Sequence, residues 1–451
     1  MGVKKLKASK RRLTNTQIIV LFFAAVIAAG TLLLCLPIAS KSREWTPLLD
    51  CAFTATSATC VTGLIVYDTF THWSLFGQLV ILSMIQIGGL GVMTIITTFS
   101  VFARRKISLY ERKLLMQSAG TIRSSGIIKL LKQIIIITLI CEGTGALLLA
   151  TRLCPKLGII EGLYCSVFHA VSAFCNAGFD LMGRYGEFSS LTPFCDDITV
   201  NLTVCALIIA GGLGFIVWQD ILTNKFALKK YSVHSKIVLI TTAALLAGGW
   251  LFYFIFERNA SLEGLDTGEK ILASFFQSVT ARTAGFNTVP LNKLTGAGVV
   301  LMSVLMLIGG SPGSTAGGIK TTTVAVMILE LIAAAKGDKD TVVFRRRLED
   351  DTVKRAGAII SVYMMAVVIS VTAICAVENL PLSDVLFEVA SGAGTVGLTV
   401  GITSTLSGFS HIILMLLMFG GRVGGLSLII AFAERREHAK LTRPAEKILI
   451  G

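Results

Sequence analysis

The segment Phe275–Phe286 reads FFQSVTARTAGF, and it decides the fold because three other segments of the chain repeat its pattern. In each segment a phenylalanine lies ten residues before a glycine, small and hydroxyl-bearing residues fill the interval, and leucine or phenylalanine follows. The other segments are Phe53–Leu64 (FTATSATCVTGL), Phe168–Phe179 (FHAVSAFCNAGF) and Phe387–Leu398 (FEVASGAGTVGL). Their glycines are 115, 107 and 112 residues apart, and so regular a spacing is typical of internal repeats.

Long apolar stretches flank each of these segments and predict membrane-spanning helices, whereas the segments themselves are too short to span a bilayer and favour re-entrant helices. The predicted outer helices are about 16–38, 127–153, 235–257 and 356–377. The predicted inner helices are about 75–102, 198–223, 294–333 and 406–433, and each contains a double glycine. The sequence therefore predicts an all-α membrane protein with four tandem helix–pore-loop–helix repeats, eight transmembrane helices and a pseudo-fourfold central pore. The repeats are expected at 1–103, 104–223, 224–333 and 334–451.

Composition and charge agree with a membrane protein. Hydrophobic residues make up 53% of the 451 residues and charged residues 15%, with a mean hydropathy of +0.76, which excludes an ordinary soluble domain. Thirty of the 41 Lys and Arg residues fall in the segments 4–12, 104–132, 225–236, 336–355 and 435–447. By the positive-inside rule these segments and both termini are cytoplasmic. The outer face is left with about −6 charges and is expected to attract cations.

Other polar residues give little sign of catalysis, and the chain is not expected to be an enzyme. The five histidines form no metal-ligand spacing, no H-E-x-x-H motif is present, and the ten cysteines form no C-x-x-C pair. Buried small hydrophobic cysteines are the favoured interpretation. A disulfide among Cys154, Cys165 and Cys195 stays open, and a membrane enzyme such as an intramembrane protease is the less favoured class.

The four glycine loops predict a cation site. Irregular backbone at membrane depth is tolerated only where it is buried in protein or lines a watery cavity. No carboxylate ring precedes the glycines, so a ligand would meet backbone carbonyls and hydroxyls, and carbonyl rings coordinate K⁺. Glycines that only allow close helix packing are the alternative. The predicted selectivity filter, with K⁺ as its ion, comprises Thr59, Cys60, Val61, Thr62, Gly63, Cys175, Asn176, Ala177, Gly178, Thr283, Ala284, Gly285, Thr395, Val396 and Gly397.

On these residues the chain resembles the superfamily of K⁺ transporters that comprises the bacterial Trk and Ktr and the plant HKT proteins, most closely the KtrB-type membrane subunit. The resemblance covers essentially the whole chain. It implies potassium uptake across the bacterial inner membrane, with Gly63, Gly178, Gly285 and Gly397 as selectivity residues. Gly63 favours K⁺, because HKT members with serine at the matching place favour Na⁺. Dependence of the uptake on Na⁺ stays open.

The third predicted inner helix is interrupted at residues 308–321 (IGGSPGSTAGGIKT), which hold five glycines and a helix-breaking proline. Such a segment below the filter would obstruct a pore, and a kinked, packed helix is the alternative. The resemblance implies an intramembrane gating loop that meets Arg422, whereas Lys320 can instead extend to the cytoplasmic interface. The predicted gate comprises Gly309, Gly310, Ser311, Pro312, Gly313, Ser314, Thr315, Ala316, Gly317, Gly318, Lys320 and Arg422. Partners of Glu142 and Glu330 stay open.

For function, a Na⁺- or H⁺-coupled secondary cation carrier stays the alternative, although such carriers usually show inverted repeats and carboxylates near the site. For partners, the resemblance implies a homodimer on a cytosolic ring of nucleotide-binding regulatory subunits of the KtrA or TrkA type. The nucleotide would then be bound by the ring, and no covalent cofactor is expected. The basic linker 336–355 and the C-terminal tail are expected to contribute contacts, besides setting topology and touching anionic lipid. No nucleic-acid partner is expected.

Overall fold

Helices make up nearly all of the regular structure. The computed structural model describes residues 15–91, 127–225 and 227–424, and structural statements below concern these ranges. Its α-helices are α1 (Asn15–Cys35), α2 (Leu48–Cys60), α3 (Leu75–Leu90), α4 (Ile127–Leu157), α5 (Ile159–Phe174), α6 (Ile198–Gly212), α7 (Phe215–Asn224), α8 (Val233–Glu257), α9 (Thr267–Thr280), α10 (Gly296–Leu307), α11 (Thr321–Lys336), α12 (Asp350–Val377), α13 (Leu382–Gly394) and α14 (Gly408–Val423). The strands β1 (Val342–Val343) and β2 (Arg346–Arg347) form an antiparallel hairpin.

Four of these helices are long and apolar enough to cross a membrane. They are α1, α4, α8 and α12, and their bounds agree with the predicted outer helices. Apolar side chains such as Leu32, Leu147 and Ile369 are exposed on their surfaces. Exposed apolar residues on spanning helices suit a surrounding of lipid, and the chain is accordingly a multi-pass membrane protein.

Two of the predicted inner helices are broken. The expectation of one continuous helix over 198–223 is wrong, because α6 and α7 meet at an angle of 97°. At this break the amide of Phe215 donates to the carbonyl of Gly313, 2.8 Å away. The bend thus gives a hydrogen-bond donor to the segment between α10 and α11. The predicted interruption of the third inner helix is confirmed, since α10 and α11 are separated by residues 308–320. The ends expected for the first and fourth inner helices, near 102 and 433, lie outside the described residues.

Each repeated segment forms a short helix followed by a loop. The short helices are α2, α5, α9 and α13, each of which comes after a long helix. The repeated phenylalanine is fully buried in three of them, at Phe53, Phe168 and Phe387, and half-buried at Phe275. These side chains anchor the short helices in the protein interior. The short helices have too few residues to cross a membrane by themselves.

Packing between the repeats closes on itself. Helix α3 packs against α5, α6 against α9, α10 against α13, and α14 returns to pack against α2. Thus the helix that follows each short helix contacts the short helix of the next repeat, and the last repeat contacts the first.

Carboxylates fix the starts of two of the helices that complete the repeats. Glu257, at the end of α8, is fully buried and accepts from the amide and the hydroxyl of Thr295, at 3.0 and 2.6 Å. Glu378, at the end of α12, accepts from the amide of Ser407 and the hydroxyl of Ser410, at 2.8 and 2.7 Å. A carboxylate at a helix start satisfies orphan amides and favours the positive end of the helix dipole.

We expect Glu257→Ala to lower the free energy of unfolding by about 2 kcal/mol, because the amides of Thr295 and Ser261 then lose their acceptor. The measurement is the thermal midpoint of the purified protein in detergent. Glu263→Ala is the control, since Glu263 is exposed and belongs to the same loop. Equal midpoints for the two variants would contradict the structural role of Glu257.

Candidate functional site

The four repeated segments end in the same backbone conformation. In each one, the residue two places before the glycine and the glycine itself have positive φ. The pairs are Val61 (58°) and Gly63 (95°), Asn176 (59°) and Gly178 (70°), Thr283 (71°) and Gly285 (85°), and Thr395 (53°) and Gly397 (94°). Positive φ is strained for a β-branched residue, which three of the four non-glycine residues are. Strain that recurs at matching positions points to a function.

The four glycines contact neighbouring loops in a closed order. A β-carbon on Gly63, Gly178, Gly285 or Gly397 would lie 2.5, 2.8, 2.4 or 2.2 Å from the carbonyl oxygen of Ala177, Ala284, Val396 or Thr62, respectively. Each glycine therefore presses on the loop of the next segment, and the fourth presses on the first. No side chain fits between the loops, so main-chain atoms form their contacts.

A cavity of about 120 Å³ opens beside the four glycines. Its lining includes all four glycines together with Asp180, Asn287 and Thr399. Each of the three lies two residues after its glycine, but their residue types differ and the first repeat has Ile65 at this place, so sequence reasoning did not single them out.

Hydroxyl groups of the short helices fix the loops. The contacts are Ser57 Oγ with the amide of Gly63 (3.0 Å), Ser391 Oγ with the amide of Gly397 (3.0 Å), Ser172 Oγ with the carbonyl of Phe179 (2.7 Å) and Thr280 Oγ1 with the carbonyl of Phe286 (2.6 Å). The hydroxyl accepts in the first and fourth segments and donates in the second and third. All fifteen predicted filter residues are buried. Among the described residues, the hydroxyls of Thr59, Thr62 and Thr395 have no hydrogen-bond partner.

The interrupted segment between α10 and α11 lies against the ends of two short helices. Thr315 donates from its hydroxyl to the carbonyl of Phe174, the last residue of α5, at 3.0 Å. Its amide donates to the carbonyl of Gly211 at 3.2 Å. Gly317 packs so closely on Thr395 that a β-carbon would lie 2.0 Å from that hydroxyl oxygen. The segment is thus brought next to the glycine loops of the second and fourth repeats.

Two basic side chains hold this segment. Arg422, on α14, donates to the carbonyls of Thr315, Gly88 and Gly89, the last at 3.0 Å. Lys320 donates to the carbonyls of Ala316 and Gly317, at 2.7 and 3.2 Å, so it folds back on its own segment rather than extending to an interface. The predicted gate residues are therefore together, with the carbonyls of α3 and α6 as partners that the sequence did not reveal.

The structure shows the hydrogen-bond partners of Glu142 and Glu330 and the state of the cysteines. Glu330 accepts from the hydroxyl of Thr341, and Glu142 accepts from the amide of Gln86. All ten cysteines are free thiols, so no disulfide joins Cys154, Cys165 and Cys195.

Comparisons with known proteins find relatives along nearly the whole chain. A family model described as "TrkH: Cation transport protein" matches residues 3–443. The chain is 39% identical to the potassium/sodium uptake protein NtpJ of Enterococcus hirae, over 99% of each chain. It is 38% identical to the Ktr system potassium uptake protein B of Bacillus subtilis, over 98% of this chain and 97% of the relative.

A solved structure has a similar fold. The crystal structure of the potassium transporter TrkH from Vibrio parahaemolyticus superposes with a TM-score of 0.74 and covers 95% of this chain and 86% of that one. The two sequences are 18% identical, so this likeness concerns the fold alone.

Proposed function

The chain belongs to the TrkH family of cation transport proteins, and we propose that it takes up potassium ions through a filter formed by main-chain carbonyls. The observation that carries this proposal is the closed set of contacts in which each of four glycines meets the carbonyl of the next loop. Rings of backbone carbonyls replace the hydration shell of K⁺. The uptake of potassium by the named relatives supports the same ion.

The proposed architecture is four helix–pore-loop–helix repeats with the boundaries given above, arranged around one pore. The closed packing of α3, α6, α10 and α14 on successive short helices supports it. The four long helices and the four helices that follow the short helices (α3, α6, α10 and α14) would give eight membrane segments. We place the protein in the bacterial inner membrane with both termini cytoplasmic, as the distribution of basic residues favours.

Electrostatics of the loops favour a cation. The four short helices end at the glycine loops, so their negative dipole ends meet there. The buried hydroxyls of Thr62 and Thr395 offer further oxygens, and Asp180 adds a carboxylate to the adjoining cavity. No basic side chain is among the lining residues of that cavity, so an approaching cation meets no fixed positive charge there.

A Na⁺- or H⁺-coupled carrier is the second candidate. Glu142 favours it, since a buried carboxylate within a spanning helix is typical of coupling sites. Uptake of K⁺ into proteoliposomes under set Na⁺, H⁺ and K⁺ gradients distinguishes the two. Passive conduction requires only the K⁺ gradient, whereas a coupled carrier stops when the second gradient is removed.

Substitution of the glycines tests the filter. We expect Gly63→Ser and Gly285→Ser to lower the preference for K⁺ over Na⁺ by about tenfold, because a side chain at positive φ costs about 1–2 kcal/mol and collides with the carbonyl of Ala177 or Val396. The measurement is competitive uptake of the two ions into proteoliposomes. Gly296→Ser is the control, because its β-carbon would meet nothing within 4 Å. Unchanged selectivity in both folded filter variants would exclude a carbonyl filter at these loops.

We propose that the interrupted segment 308–320 is the gate. Arg422 joins it to α3, and Thr315 joins it to the end of α5, so the segment is held across the approach to the loops. A guanidinium in the path of a cation also raises an electrostatic barrier.

Removal of these restraints is expected to increase leakage of ions. Arg422→Ala and deletion of residues 311–317 should each raise passive K⁺ flux severalfold. The substitution removes the positive charge and the hydrogen bonds that hold the segment, and the deletion removes the obstructing segment itself. Flux is measured in proteoliposomes by K⁺-driven dye uptake, with Arg355→Ala, an exposed arginine at the start of α12, as the control. Variants that assemble normally yet conduct less than the parent would refute the gate.

We also propose a homodimer bound to a cytosolic nucleotide-sensing ring. The β1–β2 hairpin lies in the linker that follows α11, and α11 joins it to the gate segment. Arg347 is paired with Asp340 and Asp350, each at 3.1 Å, and these pairs fix the base of the hairpin. Arg345 and Arg346 stay exposed near its tip, as a basic surface for an acidic partner.

Charge reversal at the hairpin tests this contact. We expect Arg345→Glu with Arg346→Glu to weaken co-purification with the ring protein by at least tenfold and to make transport insensitive to ATP and ADP. The exposed pair Lys229 and Lys230, changed to Glu, is the control for net charge. A monomeric particle whose transport ignores the ring and the nucleotide would defeat the proposal.

A further inference from the structure

A buried polar relay joins a spanning helix to the second glycine loop. Glu142 lies on α4, is 8% exposed, and accepts from the side-chain amide of Gln86 on α3 with both carboxylate oxygens, at 3.0 and 3.3 Å. The amide oxygen of Gln86 in turn lies 3.5 Å from Sγ of Cys175, which is also 4.0 Å from the carboxylate. The single thiol proton of Cys175 can be donated to either oxygen.

Cys175 occupies a sensitive position. It is the C-cap residue that follows α5, directly before Asn176, which has positive φ. Asn176 contacts the hydroxyl of Thr283 at 3.2 Å in either orientation of its amide, and so links the second glycine loop to the third. A shift of the thiol is therefore transmitted to two loops.

Helix α3 holds the thiol from the other side. A β-carbon on Gly89 would lie 2.6 Å from Sγ of Cys175, so the helix backbone touches the side chain. The carbonyl of the same Gly89 accepts from Arg422 at 3.0 Å. Gln86 and Gly89 thus lie within one turn of α3. The relay therefore ends beside the carbonyl to which Arg422 donates.

The relay is specific to the second repeat. The residues that match Cys175 in the other segments are Cys60, Arg282 and Gly394, and within the described ranges none of them is hydrogen-bonded to a carboxylate. Glu142 forms no salt bridge among the described residues either. A carboxylate in a membrane span without a cationic partner costs stability and points to a role in function.

We propose that Glu142 is a positioning residue that sets the geometry of the second glycine loop through Gln86 and Cys175, and thereby contributes to the selection of K⁺. This inference rests on the proposed function of the loops as a filter. Glu142 does not contact the four glycines; it acts by fixing the thiol on which the loop begins.

The test compares Glu142→Gln, Gln86→Leu and Cys175→Ala in proteoliposomes. Each is expected to raise the KM for K⁺ at least threefold and to lower the K⁺/Na⁺ preference. The maximal rates of Glu142→Gln and Gln86→Leu are expected to stay within twofold of the parent. Because the three residues act as one chain, Glu142→Gln combined with Cys175→Ala should be no worse than the more severe single variant. Cys175→Ser, which keeps a donor, should recover most of the selectivity lost in Cys175→Ala.

Glu330→Gln is the matched control, since Glu330 also lies on an apolar helix but accepts from Thr341. Variants that lose only yield or thermal stability, with KM and selectivity equal to those of the control, would overturn the inference. Independent, additive effects of Glu142 and Cys175 would overturn it as well. If the parent protein itself takes up no K⁺, the proposed function falls instead, so the two failures are distinguishable.

Discussion

Four short helices end inside the protein, and the buried backbone beyond them must find hydrogen-bond or packing partners within the protein. Glycine solves this problem by letting each loop approach the carbonyl of the next within contact distance. Other features keep the loops in these contacts. Phenylalanines anchor the short helices, hydroxyls fix the loops, and the helix that follows each short helix packs on the short helix of the next repeat. A bulkier residue at any of the four positions would separate the loops.

The sequence was informative where the pattern is periodic. The four glycine segments, the long helices and the interruption after Leu307 are all recoverable from spacing and residue type, because bilayer thickness and helix-breaking residues act locally. The break at Gly212–Gly214 was not recoverable. The double glycine there resembles the three others, and the chain bends because Gly313, a residue distant in sequence, supplies a carbonyl to Phe215.

Long-range partners of polar groups were also out of reach of the sequence. Arg422 could be recognised as unusual, yet its acceptors on α3 are carbonyls, which any residue possesses. Glu142 could be recognised as unusual too, but Gln86 and Cys175 show no distinctive pattern. Only the way in which α3, α4 and α5 pack brings the three together.

Contact between the first and the last repeat has a consequence for synthesis. Gly397 presses on the carbonyl of Thr62, and 334 residues separate it from Gly63. At ribosomal speeds of about 5–20 residues per second, the first loop is made roughly 20–70 s before its partner exists. During that interval the first glycine loop lacks its neighbour on one side. The polar backbone of the first loop therefore needs a substitute contact, from lipid-excluding insertion machinery or from trapped water, until the fourth repeat is made.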